Sequence, residues 1–391
     1  MLQLLAQNRH EPPKCLTFSS KRKLIDQTTN LIPPIASMRR ALHRPDMLYS
    51  LIRPALFLTD AETAHGLSIA ALRLTPIRAT PANPRLLQNI AGLDFPNPVG
   101  LAPGYDKNAE VYRGCYSLGF GFVEIGTVTP RPQSGNPRPR LFRLVEDQAV
   151  INRMGFNNDG MEAVAERLEA TAGRHLGGPL GVNIGANKDS EDRIADYVLA
   201  IERLARLADY VTVNISSPNT PGLRALQDKA ALDDLLARVK EAMPKGKPVF
   251  LKVAPDLEPS DIDDITASAI EFGIDALIVS NTTISRPALR SSHAGETGGL
   301  SGAPLRDLAQ QRLCDFRKAT GAAIPLVGVG GIASAKDAYS RIRAGASLVQ
   351  LYSALVYEGP MLARRINSEL CALLERDGFS NVGDAVGVGE I

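Results

Sequence analysis

Residues 180–215 read LGVNIGANKDSEDRIADYVLAIERLARLADYVTVNI. A short apolar run, Leu180–Ile184, is followed by a polar turn. Next comes a stretch over Asp192–Ala208 whose apolar residues recur every three to four positions, and then a second apolar run, Tyr210–Ile215. The spacing predicts strand, helix, strand. A crossover of that length joins parallel strands, and continuous rather than alternating apolar runs belong to strands covered on both faces.

The same unit repeats outward in both directions. Upstream lie the apolar runs Pro98–Ala102 and Gly121–Gly126. Downstream lie Val249–Val253, Ala276–Ser280, Leu326–Val329 and Leu348–Leu351, with helical patterns at Asp228–Met243, Ser260–Phe272, Leu305–Thr320 and Ala335–Ala344. Eight such runs between residues 98 and 351 predict an α/β fold, a closed (β/α)8 TIM barrel. A doubly wound open sheet is the competing arrangement, but no GxGxxG opens a helix after the first run. Residues 128–160 interrupt the alternation with Pro130, Pro132, Pro137 and Pro139. A small hairpin, Leu141–Val145 with Ala149–Asn152, is expected there, at the catalytic rim that follows the second strand.

Composition fits a globular protein: 391 residues, 44% hydrophobic and 22% charged. Cys15, Cys115, Cys314 and Cys371 form no CxxC pair, which excludes a disulfide scaffold or Cys-rich zinc site. His10, His43, His65, His175 and His293 show no metal spacing, so no metal is expected. No uninterrupted run of about 18 apolar residues occurs, so no helix is expected to span a bilayer. The charge is uneven: residues 1–85 hold 12 Lys/Arg against 5 Asp/Glu, leaving 32 against 37 for the rest, so +7 precedes −5. A basic segment on an acidic body suits an anionic surface, and little else in the chain suits nucleic acid.

Four parts are expected: a mobile basic tail over 1–45, an amphipathic helical hairpin over 46–80, the barrel over 81–380 and a C-terminal tail over 381–391. In the hairpin, Pro54 interrupts the first helix, and Thr59-Asp-Ala-Glu62 reads as a capping box starting the second. A helical pair packed on the body is one reading of the hairpin. Arg39, Arg40, Arg44, Arg53, Arg73 and Arg78 around its apolar stripe favour a membrane-contacting one.

Barrel chemistry resides at the strand C-termini. Asn recurs there and in the rim loops: Asn152, Asn183, Asn214, Asn219 and Asn281. Each supplies an acceptor and two donors without charge, a set suited to a flat ring bearing alternating C=O and N–H groups. Lys107 and Lys252 add positive charge. Lys252, inside the run Phe250-Leu-Lys-Val253, is least costly in the barrel mouth beside an anion. The Gly-rich turns Gly328-Val-Gly330-Gly331 and Gly299-Leu-Ser-Gly302 suit phosphate.

With these residues in view, the chain resembles the dihydroorotate dehydrogenases, and among them the membrane-associated, quinone-reducing class, over roughly residues 46–370. The segments that carry the resemblance are Gly100-Leu-Ala-Pro-Gly-Tyr-Asp-Lys107, Asn152-Arg-Met-Gly-Phe156-Asn, Gly181-Val-Asn183-Ile-Gly, Val213-Asn214-Ile-Ser-Ser217-Pro-Asn219-Thr220-Pro-Gly, Ser280-Asn281-Thr-Thr, Gly299-Leu-Ser-Gly302 and Val329-Gly-Gly331. The resemblance implies oxidation of (S)-dihydroorotate to orotate in de novo pyrimidine biosynthesis, with FMN as hydride acceptor and a membrane quinone as final acceptor. It implies that Ala102, Pro103, Gly104, Lys107, Thr127, Asn183, Asn214, Lys252, Ser280, Gly302, Gly331, Tyr352 and Ser353 hold the flavin. It assigns the substrate to Lys107, Asn152, Arg153, Met154, Gly155, Phe156, Asn214, Asn219, Asn281 and Thr282.

By the same resemblance Ser217 is the catalytic base, with Thr220 and a water near Phe156 as its proton relay. The soluble class carries Cys at the position of Ser217. His65 and Arg143 match the family's contacts to the quinone head. A peripheral monomer on the cytoplasmic face of the cell membrane is implied. Tyr105 receives no role. A dihydropyrimidine or dihydrouridine reductase on the same barrel, and a membrane-recruited scaffold without flavin, are the alternatives.

Overall fold

The computed structural model describes residues 45–77, 81–173 and 177–389. The expected tail up to residue 44, Arg39, Arg40, Arg44 and Arg78 of the basic rim, and His10, His43 and His175 lie outside them. Two units divide at Leu48/Tyr49. Of the first, the described part is residues 45–48, the opening turn of a helix.

The hairpin consists of α1 (Pro45–Phe57) and α2 (Ala61–Arg73). Pro54 sits within α1, which ends one turn later. The expected capping box is overturned. Asp60, not Thr59, caps α2, accepting from the Thr63 amide at 2.9 Å, while the Thr59 hydroxyl donates back to the Leu56 carbonyl at 2.7 Å. Glu62 faces away from the cap, toward two arginines described below. An Asp N-cap contributes roughly 1 kcal/mol.

The body follows in order: β1 (Gln88–Ile90), β2 (Leu93–Phe95), β3 (Val99–Leu101), α3 (Tyr112–Tyr116), β4 (Phe122–Val128), β5 (Leu141–Leu144), β6 (Ala149–Asn152), α4 (Met161–Glu169), β7 (Leu180–Ile184), α5 (Arg193–Leu204), β8 (Tyr210–Asn214), α6 (Lys229–Ala242), β9 (Val249–Lys252), α7 (Pro259–Glu271), β10 (Ala276–Val279), β11 (Gly299–Gly302), α8 (Arg306–Thr320), β12 (Leu326–Val329), α9 (Ala335–Arg343), β13 (Ala346–Leu351), α10 (Leu355–Glu358) and α11 (Leu362–Arg376). Strands β3, β4, β7, β8, β9, β10, β12 and β13 pair in parallel with their neighbours, and β13 returns to β3 to close the barrel. All eight predicted runs are these strands.

The lower barrel is filled by rings set against glycines. A Cβ on Gly100 would lie 2.2 Å from the Phe122 ring, and one on Gly181 would lie 2.2 Å from the Tyr210 ring. Tyr210 stacks on Phe250, and the antiparallel pair β1–β2 closes this end with Phe95 edge-on to Phe122. With one end plugged by aromatics, chemistry is confined to the other.

At that open end, β5 and β6 form the expected hairpin. The segment Gly299–Gly302, read from sequence as a Gly-rich turn, is instead β11, which pairs antiparallel with β6. Residues 381–389, within the expected C-terminal tail, are bonded to the body. Asn381 donates to the Pro84 and Leu87 carbonyls, and Val382 and Ala385 are buried. The hairpin seats Ile69 and Leu72 against the body, where each fully buried aliphatic side chain contributes about 1.5–3 kcal/mol. Gly114 allows the approach, since a Cβ there would lie 3.2 Å from the Leu72 carbonyl oxygen.

Candidate active site

Strand register sets the heights of the polar groups. Asn214 pairs with Lys252 across β8 and β9, whereas Asn183 pairs with Thr212, two residues lower. Asn214 therefore reaches the mouth and Asn183 supports it from below. Asn214 Nδ2 donates to Asn183 Oδ1 and to Thr127 Oγ1, each at 3.1 Å, and Thr127 Oγ1 donates to Asn183 Oδ1 at 2.6 Å. Asn183 in turn donates to Glu124, a fully buried carboxylate that also accepts from Gln350 and Tyr210. The Lys252 ammonium has no hydrogen-bond partner among the described residues. Burial lowers its pKa, and the Glu124 carboxylate opposes that.

The loop after β8 is fixed from both sides. The Ser216 amide and hydroxyl donate to Asn214 Oδ1 at 3.2 and 2.8 Å, and Asn281 Nδ2 donates to Ser216 Oγ at 2.9 Å. Arg224 spans the loop, donating to the Ser216 and Thr282 carbonyls and pairing with Asp256 at 3.0 Å. Ser217 is buried, its hydroxyl accepting from the Asn219 amide at 3.2 Å. Asn219 Nδ2 donates to Asn152 Oδ1 at 3.2 Å. Loop amides thus already bond to one another where a planar amide-bearing ring would insert.

After β3, Asp106 accepts from the Glu110 and Val111 amides at 2.8 and 2.7 Å, folding the loop back so that Lys107 faces inward. Burial dominates at Lys107 and lowers its pKa to about 8, with Glu62 opposing and Arg140 reinforcing the shift.

These groups line one cavity of about 740 Å³, which runs from Lys107, Asn152, Asn214, Ser217, Asn219, Asn281 and Thr282 to the hairpin side chains Ile52, Leu56, Ala64, Leu67 and Ala71. Ala102, Pro103, Gly104, Thr127, Lys252, Ser280, Gly302, Gly331, Tyr352, Ser353, Met154, Gly155 and Phe156 line it as well. Between the two ends stand three rings: His65 edge-on to Tyr105 and within 3.4 Å of the Tyr352 hydroxyl. Burial, with Lys107 nearby, lowers the His65 pKa to about 4, so the imidazole is neutral at pH 7.

Three expected site residues lie elsewhere. Asn183 is fully buried below the lining, as described. Arg153 turns its guanidinium outward to Glu296 and across the Phe142 ring. Thr220 is buried behind the loop, its hydroxyl without a partner. Arg143 lines the cavity but is largely occupied, donating to the Leu56, Phe57 and Thr59 carbonyls and lying over the Phe57 ring.

Sequence reasoning missed Tyr105, Glu124 and Gln350. Tyr105 stood beside Lys107 in a quoted motif, and Glu124 broke an apolar run as Lys252 did, so the latter signal was present.

A flavin fits the unpartnered polar groups of this lining. Ser280 Oγ and Gln350 Oε1 are buried without partners, and both residues line the cavity beside Lys252. Gly302 and Gly331 have positive φ, and a Cβ at either would lie 2.4 Å from backbone atoms, so the lining there is bare main chain. No group of metal-ligating side chains occurs among the described residues.

The family model for dihydroorotate dehydrogenase matches residues 85–374. The dihydroorotate dehydrogenase (quinone) of Novosphingobium aromaticivorans is 65% identical over 346 residues, covering 87% of this chain and 99% of its own. That of Sphingopyxis alaskensis is 62% identical, covering 88% of this chain and 98% of its own. The crystal structure of DHODH from Eimeria tenella in complex with ferulenol matches with a TM-score of 0.81 at 42% identity, covering 86% of this chain and 98% of that one.

Proposed function

The chain belongs to the dihydroorotate dehydrogenase family, and from that premise we propose how its cavity is used. The reaction is the flavin-dependent oxidation of dihydroorotate to orotate in pyrimidine biosynthesis, with a quinone as electron acceptor. One observation carries the assignment of residues: a single cavity joins an amide-and-ammonium end to an apolar end walled by the hairpin.

The flavin is FMN, supported by the bare-backbone lining at Gly302 and Gly330-Gly331, which suits one terminal phosphate. Thr127, Asn214, Lys252 and Ser280 would hold its ring end. When bound, it supplies the hydride acceptor and the onward route of two electrons to quinone. Asn152, Asn214, Asn219 and Asn281 match the donors and acceptors of the pyrimidine, and Lys107 neutralises its carboxylate.

Oxidation removes a proton from one ring carbon and a hydride from its neighbour. Ser217 Oγ takes the proton. Its hydroxyl is a weak base, so the proton must leave: Thr220, three residues on and without a hydrogen-bond partner, would accept it while releasing its own hydroxyl proton to a water near Phe156.

The quinone enters at the hairpin, its head meeting His65 and Arg143. Among the described residues, six of the twelve exposed large apolar side chains lie between residues 49 and 77: Leu51, Ile52, Leu58, Leu67, Leu74 and Ile77. No helix among the described residues is long and apolar enough to cross a membrane. The exposed apolar patch supports peripheral attachment to the membrane through the hairpin, on its cytoplasmic face. The cavity is complete within one chain, which supports action as a monomer.

Rapid mixing of the purified flavoprotein tests the scheme. Dihydroorotate should bleach the bound flavin anaerobically, and a short-chain quinone should restore its colour. Bleaching without recovery would remove the quinone role from the hairpin end.

A further inference from the structure

Behind the Gly330-Gly331 turn lie two guanidinium groups. Arg341 donates to the Gly330 carbonyl at 2.9 Å and to the Arg306 carbonyl at 2.7 Å, and its other terminal nitrogen bonds to Gln310 Oε1. Arg306 Nε donates to the Gly331 carbonyl at 3.1 Å. Both glycines have positive φ, 106° and 71°, and neither adjoining peptide is cis.

A trans peptide points its C=O and N–H in opposite directions. With the Gly330 carbonyl drawn back to Arg341, the Gly331 N–H is directed away from it. With the Gly331 carbonyl drawn back to Arg306, so is the Ile332 N–H. Neither N–H has a hydrogen-bond partner among the described residues, and Gly330, Gly331 and Ile332 all line the cavity. Two free donors in consecutive peptides form an anion nest.

The charge balance behind the nest is uneven. Arg306 pairs with Asp337 at 3.0 Å. Arg341 is 2% exposed and, among the described residues, forms no ion pair; its acceptors there are all uncharged, and its Nε has no partner. Burial lowers its pKa to about 10 despite Asp337 nearby. A buried cation without a carboxylate is a cost to the fold that a neighbouring anion would offset.

We propose that Arg341 is the positioning residue of the phosphate end: it holds the Gly330 carbonyl back so that the nest faces the cavity, and its charge is balanced by the phosphate of the bound flavin. This rests on the reading that a phosphorylated flavin binds there. The prediction is specific to phosphate. FMN affinity depends on Arg341, and riboflavin affinity does not.

The test uses full-length protein reconstituted with FMN or with riboflavin, following flavin released on dilution by its recovered fluorescence. Arg341→Met should weaken FMN on the order of tenfold to a hundredfold and leave riboflavin unchanged, without lowering the melting temperature of the flavin-free protein. Arg341→Lys, which keeps the charge, should hold the FMN-to-riboflavin ratio within about threefold of the parent. Equal loss of both flavins, or a flavin-free protein that melts earlier, would make Arg341 a scaffold residue and overturn the proposal. Should Arg341→Met not fold, the lysine variant alone decides, because loss of FMN preference there also overturns it. A parent protein that does not prefer FMN to riboflavin would refute the phosphate reading itself, and the proposal with it.

Discussion

Replacing Glu62 by Gln should slow the substrate half-reaction, although Glu62 sits on the hairpin. Its carboxylate accepts from Arg140 through two nitrogens, at 2.7 and 3.1 Å, and from Arg138 at 2.9 Å. The Arg140 and Glu62 side chains are 7% and 15% exposed, while Arg138 is 71% exposed and contributes little. Removing one partner of a fully buried pair costs about 3–5 kcal/mol; at this partly wetted pair, with an amide oxygen still accepting, about 2 kcal/mol is expected. That is roughly a thirtyfold shift in any equilibrium that needs the pair intact.

The strain is passed inward. Arg140 also donates to the Ser134 and Asn136 carbonyls, Asn136 Nδ2 donates to the Arg153 and Asn219 carbonyls, and Asn219 bonds to Ser217 and Asn152. Stopped-flow reduction of bound flavin by dihydroorotate should show a several-fold higher apparent Kd and a lower limiting rate in Glu62→Gln. An unchanged first half-reaction with impaired quinone turnover would refute the chain of bonds and leave Glu62 as an anchor of the hairpin alone. Hydrogen bonding by Arg140 holds the Glu62 pKa below its ordinary value of 4.5. The pair's stabilisation is therefore present at neutral pH and is lost as pH falls below that value, an acid sensitivity that the variant should lack.

Ser217→Ala should leave orotate binding intact and slow flavin reduction by orders of magnitude; normal reduction would remove Ser217 from proton transfer. If Lys107, with its pKa lowered to about 8, holds the substrate carboxylate as proposed, it does so only while protonated, so orotate affinity should be flat below pH 8 and fall about tenfold per unit above it; affinity that stays level to pH 10 would contradict this. Leu67→Glu places a charge on the half-exposed apolar face of α2, so it should raise the quinone KM and weaken vesicle binding without altering flavin reduction. Loss of both half-reactions in that variant would mean the face is structural.

The barrel was legible because its signals are local. A continuous apolar run and a three-to-four spacing are properties of neighbouring residues, and all eight runs became strands. Strand β11 was not legible, since Gly-Leu-Ser-Gly carries no strand period and its partner β6 lies about 150 residues earlier in the chain. Glu62 was misread for a related reason. Its position matched a capping box, but Arg138 and Arg140, which take it, are remote in sequence. The asparagines could be grouped by type yet not by depth; only the β7–β8 register separates Asn183 from Asn214. Tyr105 gains meaning only beside Ser68, His65 and Tyr352, which come from opposite ends of the chain.

The cavity must bind an anion at one end and admit a neutral, lipid-soluble acceptor at the other, and its ionisation states separate the two. Lys107 lies beside His65 and both are buried, so only one can hold a proton cheaply. Burial and the ammonium together push His65 to about 4, while Lys107, opposite Glu62, keeps its proton to about 8. Across the intervening range the Lys107–His65 pair carries one charge, on Lys107. Glu62 favours the protonated form of Lys107 and also anchors the hairpin to Arg140. The element proposed to bring in the quinone thus also favours the charge on the lysine proposed to receive dihydroorotate, which argues against treating the hairpin as an appendage to a self-sufficient barrel.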